Sequence, residues 1–250
     1  MCDVQENHPI VNENLKNKLL GKVCETIGQD LDSLYKVGRD KIIEKATKKV
    51  KDIDDNRQAN LRVARDVFTN GSYSDSEICA EYFGGALASS RSEGGQDDEA
   101  VNYLNTIKIL SSKQLHLHYI IYNALNRLFS SYKEKVNFTY ESELRHKEVV
   151  FTYHELEVTL GMDVHRNLTI LYKEGLISSW EAINNNVDSH VKISPTLTGI
   201  LLYCVAHNEL NSWKRFNTKH FGNFENLSTP KYCNDSLDAH KKMLQQLLNQ

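Results

Sequence analysis

No stretch of this 250-residue chain provides the roughly 20 consecutive apolar residues that a helix needs to cross a bilayer. A helical membrane span is therefore not expected. The segment MCDVQENHPIVNENLKNKLL lacks a basic region followed by an apolar one, so no secretory signal is expected either. Neither end carries a lipidation pattern. These absences lead to an expected cytoplasmic location. Cysteine is sparse and scattered: Cys2, Cys24, Cys79, Cys204 and Cys233 form no CxxC pair, and their number is odd. That argues against a disulfide framework or a zinc ribbon. Cys79 and Cys204 fall inside apolar helical patterns and read as inert core residues.

Catalytic signatures are missing as well. The chain has no GxxxxGK[ST], no GxGxxG after a strand, no HExxH, no GxSxG and no kinase set. His116 and His118 stand two apart on a helical pattern, so they face different ways and make no metal pair. Arg215 and His220, in RFNTKH, match an Arg-to-His spacing found in some defence nucleases. An RNase reading on that spacing is weak, because Phe216 replaces the usual polar residue after the arginine. Ten histidines in this chain also generate such a spacing by chance. No cofactor, no metal and no catalytic residue is expected, and the chain reads as non-enzymatic.

What is present is a charged, strongly helical pattern. Apolar residues make up 40% and charged residues 25% of the chain, with a net charge of −3, in the ordinary range of globular proteins. Its distribution is uneven: residues 136–210 hold 5 Lys+Arg against 10 Asp+Glu, and residues 211–250 hold 6 against 3. Residues 1–14 are polar and read as disordered or loosely attached. A helical domain is expected over 15–135, beginning with Leu19, Leu20, Val23, Ile27, Leu31 and Leu34 at helical spacing. Within it, YKVGRDKIIEKATKKVKD carries seven basic residues from Lys36 to Lys51. Such a run reads as a solvated outer face, with a membrane surface or nucleic acid as the functional alternative.

A helix over NRQANLRVARDVF follows, broken at TNGS. Ser74 and Glu77 match a capping box for the next helix. That helix contains EYFGGALASS, in which Ala80, Gly84 and Ala88 recur every four residues, as do Gly85 and Ser89. Two internal glycines cost about 1 kcal/mol each against alanine. A close helix contact at Ala80, Gly84, Gly85 and Ala88 would offset that cost. Gly94–Gly95 reads as the helix stop, with Asp97 or Asp98 capping the following helix. A second capping box, Ser111 with Gln114, opens a long helix to about Tyr132.

Beyond residue 135 the texture changes to a small winged-helix-like α+β domain over 136–210. Thr152 and Glu155 cap a short helix that Gly161 ends, and Asp163 caps a second. LISSWEAI and HVKIS read as strands flanking NNNVDS as a wing, and Ser194–Pro195 opens a last helix. The second helix of such a unit presents its first side chains to DNA bases, here His165, Arg166 and Asn167, with Lys173 further along. Arginine and asparagine are suitable readers of guanine and adenine. The acidic excess of this segment opposes phosphate contact, so an interaction or structural role is favoured over DNA-binding regulation. The tail, 211–250, reads as a polar connector ending in a helix, SLDAHKKMLQQLLNQ.

The phrases YFGGALASSRSE, LSSKQLHLHYIIYNAL and LTGILLYCVAHN, in this order over residues 57–210, resemble the abortive-infection alpha (Abi-alpha) family of bacterial proteins. The resemblance implies a role in phage defence, in which an infected cell halts or dies before the phage matures. It carries over no catalytic residue. Together with the small-residue helix, it leads to an expected protein that acts by binding a protein partner or a further copy of itself.

Overall fold

The computed structural model describes residues 29–131, 136–161, 163–184 and 189–233. The expected loose N-terminus at 1–14, the helical pattern of 15–28, most of NNNVDS and the expected C-terminal helix at 236–250 lie outside these residues. The described chain is mainly helical with two small antiparallel sheets. Its first part runs α1 (Gln29–Lys49), β1 (Gln58–Ala59), α2 (Leu61–Gly71), α3 (Glu77–Ser89), β2 (Arg91–Ser92), α4 (Ala100–Ile109) and α5 (Ser112–Ser131). Its second part runs α6 (Glu141–Arg145), β3 (Val149–Thr152), α7 (Tyr153–Leu160), α8 (Val164–Lys173), β4 (Ile177–Asn184), β5 (Ser189–Pro195), α9 (Leu197–Ala206) and β6 (Tyr232–Cys233).

Local chemistry sets many of these boundaries. Asn60 caps α2 by accepting from the amides of Arg62 and Val63, as an N-cap side chain should. Ser111 and Gln114 form the reciprocal box that opens α5: the Ser111 amide donates to Gln114 Oε1 at 2.9 Å, and the Gln114 amide donates to Ser111 Oγ at 3.3 Å. Gly161 ends α7 in the left-handed region at φ 57°, and Asp163 caps α8 through the Arg166 amide.

Several expected boundaries differ: α2 continues through Thr69 and Asn70 to Gly71 rather than breaking at TNGS, Glu99 rather than Asp97 or Asp98 holds the capping position of α4, and Thr152 makes no side-chain cap bond to α7. Ser76, not Ser74, precedes α3, and Glu77 is drawn away from the cap by Lys41 and Lys45. Helix α3 stops at Ser89; Gly94 and Gly95 take positive φ in a 3-10 turn after β2. Pro195 ends β5, and Thr196 caps α9 by accepting from the Gly199 amide at 3.0 Å. The connector after residue 210 also has structure of its own, a 3-10 helix at Leu210–Asn217 and then strand β6.

The larger sheet has the order β4-β5-β3-β6, all antiparallel. Val149 and Phe151 of β3 face Ile193 and Val191 of β5, and all four are buried. Val150, on the opposite face of β3, is buried as well, so this central strand is covered on both sides.

Helix α3 is the centre of the molecule: 12 of its 13 residues are buried, and α1, α2, α4, α5 and α9 all pack on it. The glycine pair explains how so many neighbours fit. A Cβ on Gly84 would lie 2.9 Å from Lys45 Cβ and 3.0 Å from the Ile42 carbonyl oxygen, so this glycine faces α1. A Cβ on Gly85 would lie 2.3 Å from the Ala206 carbonyl oxygen, so this one faces the end of α9. Ala80 and Ala88, the other small residues of the stripe, are 2% and 4% exposed. Because α9 closes on α3, one apolar core runs from Ile42 to Phe224. It crosses the boundary expected at residue 135.

Adding one methyl group at each glycine should separate the two contacts. Gly85→Ala meets fixed main chain, and overpacking there is expected to cost up to about 3 kcal/mol. Gly84→Ala meets Lys45 Cβ and the α1 main chain in a shallower overlap, at 2.9–3.0 Å, and regains about 1 kcal/mol of helix propensity, so its net loss should be smaller. Urea unfolding of both variants checks the order; a Gly85→Ala protein as stable as the parent contradicts this packing.

Candidate functional site

The basic run from Lys36 to Lys51 is only in part a solvated face: Lys36, Lys48 and Lys51 are exposed, whereas Lys45 is buried and Lys49 is largely covered. Its lysines recur at positions 41, 45, 48 and 49, while Glu77 and Glu81 stand one turn apart on α3. Four-residue spacing puts each set on one helix face, and the close approach at Gly84 brings the faces together. Lys41 pairs with Glu77 at 2.8 Å, Lys45 with Glu77 at 3.1 Å and with Glu81 at 2.9 Å, and Lys49 with the other Glu81 oxygen. Lys48 pairs with Glu44 and, at 2.7 Å, with Glu225 of the C-terminal segment. These lysines and the glutamates Glu44, Glu77, Glu81 and Glu225 balance in charge.

The centre of this network is buried. The Lys45 and Glu81 side chains are each 5% exposed. Burial pulls the Lys45 ammonium down, but its hydrogen bonds to Glu81 and Glu77 and their negative charge outweigh it and hold the group above its ordinary value. Burial dominates at Lys49 and lowers it despite Glu81, with repulsion from Lys45 and Lys48 adding to the shift. The Lys49 ammonium also donates to the Glu81 main-chain oxygen at 3.1 Å and lies 4.8 Å from the centre of the Phe224 ring.

Two clefts open on either side of Lys49 and His207. One, about 320 Å³, is bordered by Ser89, Arg91, Asp55 and Glu209; the other, about 240 Å³, by Lys45, Glu81, Phe224 and Glu225. The first lies at the end of EYFGGALASSRS. Arg91 organises its rim by donating to the carbonyl oxygens of Asp52, Ile53 and Arg57 and to Asp55 Oδ1. His207 stacks on Phe224 with ring centres 4.3 Å apart, and its Nε2 is buried without a partner among the described residues. Burial, with Lys49, His220 and Lys219 nearby, holds this imidazole well below its usual pKa.

Beside this lies a buried polar chain. His118 Nδ1 and the Tyr82 hydroxyl share a hydrogen bond of 2.5 Å, and His118 faces the Gly199 carbonyl oxygen through Nε2 at 3.2 Å. A carbonyl only accepts, so Nε2 carries a proton, and burial favours the neutral ring in which Nδ1 accepts from the Tyr82 hydroxyl. Burial lowers its pKa to about 3. Tyr122 donates to the Leu176 carbonyl oxygen and accepts from the Thr196 amide at 3.1 Å, tying α5 to the β4–α9 region. His116 points elsewhere, to the Ser228 carbonyl oxygen.

The residues singled out for nucleic acid or partner contact separate into two groups. His165 and Arg166 are exposed on the first turn of α8, with the His165 ring edge-on to Trp180 at 4.3 Å, and Lys173 is exposed beside Glu174 at 3.7 Å. Asn167 is placed otherwise: it is 7% exposed, donates to the Asp163 carbonyl oxygen at 2.7 Å and accepts from Gln114 at 3.0 Å. It fastens α8 to α5 and offers no amide to a base edge. Arg215 is exposed, whereas His220 Nε2 is buried without a partner among the described residues. Cys79 and Cys204 are free and buried, and burial pushes the Cys204 thiol up.

Among the described residues, no group of three or more His, Cys, Asp or Glu side chains is placed to hold a metal ion. Among the same residues, no helix is long and apolar enough to cross a membrane. No family model matches the chain, and neither a curated protein nor a solved structure matches it.

Two predictions follow from the buried charges. Glu81→Gln leaves Lys45 and Lys49 without their shared counter-ion, and removing one partner of a buried pair costs about 3–5 kcal/mol; chemical unfolding at neutral pH should show a loss of that order. The second concerns acid. His116, His118, His207 and His220 all have folded pKa values below the ordinary 6.5. Their contribution is fully present above the unfolded pKa and is lost as pH falls below it, by up to about 1.4 kcal/mol per pH unit for each. For His118 the loss continues to about pH 3. Urea midpoints should therefore fall between pH 7 and pH 5, and His118→Phe should flatten that fall by about one proton. An unchanged midpoint across this range contradicts neutral buried imidazoles.

Proposed function

We propose that this chain is a phage-defence protein of the abortive-infection kind, and that its second half carries a winged-helix-like module that binds a protein partner or a second copy of the chain. The module reading is supported by the succession β3, α7, α8, β4, β5, with β5 lying between β3 and β4 in the sheet. The defence role rests on the resemblance of YFGGALASSRSE and the phrases after it.

The observation that carries the choice of protein over duplex DNA is the outer face of α8. Affinity for DNA needs several lysines or arginines free to neutralise phosphate. Arg166 and Lys173 are the cations of this helix, Lys173 has Glu174 beside it, and Asn167 is turned inward. Lys192 of the sheet is engaged by Glu148 and Glu181. Lys41, Lys45 and Lys49 of α1 do not supply the missing field, because Glu77 and Glu81 hold them, and Lys48 is engaged by Glu44 and Glu225. What remains outward on α7 and α8 is mixed in character, with Val158 and Tyr172 68% and 55% exposed. Such a surface suits a protein interface with an apolar centre and a polar rim.

Fluorescence anisotropy of labelled random duplex DNA with the purified chain, at about 50 and 200 mM salt, separates the two readings. No binding at the lower salt is expected. Micromolar binding that collapses at the higher salt would make the module a DNA-binding regulator instead. The defence role is checked by plating phages on cells with and without the gene; unchanged yields across diverse phages would remove it.

A further inference from the structure

We infer that the cleft between α7 and the segment Thr229–Lys231 receives the cationic side chain of a basic segment in a partner protein, with Glu155 as its counter-ion. This deepens the partner-binding reading above and rests on it. The cleft has a volume of about 390 Å³ and is bordered by His154, Glu155, Val158, Thr159 and Pro230, with Lys231 on its rim. That volume falls within the usual range of ligand-sized pockets.

Glu155 is the third residue of α7, where a glutamate ordinarily turns back to the free amide of the capping residue. Here Thr152 makes no side-chain cap bond. Glu155 Oε2 is buried and lacks a hydrogen-bond partner among the described residues. A carboxylate oxygen withdrawn from water without a donor is costly, and a cation supplied from outside removes that cost. Glu155 and Val158 stand three residues apart and so share one side of α7. An arginine or lysine reaching Glu155 would lay its aliphatic stem along Val158 and Pro230, as amphipathic side chains do on apolar surface.

The field around the cleft favours the same occupant. Residues 136–210 carry twice as many acidic as basic residues, 10 against 5, which draws basic segments toward the module. Lys192 is committed to Glu148 and Glu181. Against this field stands Lys231, the one lysine or arginine that borders the cleft among the described residues.

The test uses the full chain and a fluorescein-labelled peptide of alternating serine and arginine, with the same peptide carrying citrulline as the uncharged comparison. The arginine peptide should bind, and the citrulline peptide should not. Glu155→Gln should weaken binding by about tenfold, the loss expected for one charge-assisted hydrogen bond. Glu157→Gln changes net charge equally on the same helix and should weaken it by less than about twofold. Equal effects of the two variants would mean that only the general field acts, and would overturn the assignment. So would an absence of arginine-peptide binding. A chain that ignores both this peptide and duplex DNA loses the Glu155 cleft and keeps the partner-binding reading, whereas salt-sensitive DNA binding removes that reading itself.

Discussion

The contact between α1 and α3 is the constraint on which the rest of the structure depends. Gly84 lets the α1 backbone approach until Lys45 lies against it, and at that distance Glu81 falls between Lys45 and Lys49. Without the glycine, the charges would be held apart; without the charges, two lysines would be buried without compensation. Isolated buried ion pairs often add little net stability, because desolvation consumes the Coulomb gain. Their effect here is to fix register. Lys41, Lys45 and Lys49 stand opposite Glu77 and Glu81 in only one alignment of the two helices. Sliding α1 by one residue would strand Lys45 in an apolar contact.

That alignment reaches further than the first helices. The next residue, Gly85, places α3 against the carbonyl of Ala206 at the end of α9, and Ser89 donates to the Gly85 carbonyl oxygen at 2.5 Å. Helix α9 in turn meets α5 through the Tyr122 hydroxyl, and α8 meets α5 through Gln114 and Asn167. The chain after α9 is tied back over the same region: Asn126 donates to the carbonyl oxygens of Phe216 and Lys219, and Phe224 stacks on Tyr119 and His207. The module carrying α7 and α8 is therefore built onto the helical core rather than hung from it.

Much of the architecture was legible in residue pattern alone. Helical spacing located α2 to α5, the Ser111–Gln114 box marked the start of α5, and Gly161 with Asp163 marked the turn between α7 and α8. The stripe of Ala80, Gly84, Gly85 and Ala88 pointed to a tightly packed helix, though not to two different partners one residue apart. Less legible was the fate of charge. A run of lysines reads as solvated because most such runs are; the signal that Lys41, Lys45 and Lys49 are paired instead lay in Glu77 and Glu81, repeating at the same interval on a helix thirty-odd residues away. Asn167 was misplaced for a related reason: a polar residue near a helix start suggests a surface, but its position three residues after Val164 puts it on the buried side. His118 and His207 carried no local mark, since their burial depends on aromatic neighbours from distant segments.

The account stands most directly on the coupling between Lys45 and Glu81. A double-mutant cycle with Lys45→Met, Glu81→Met and the pair together, read by urea unfolding at neutral pH, measures it. If the two residues seal the α1–α3 contact, each single variant loses stability and the double variant recovers part of it, with an interaction energy of about 1–3 kcal/mol. Strictly additive losses would contradict the account, because they would mean that the two charges fold independently of one another.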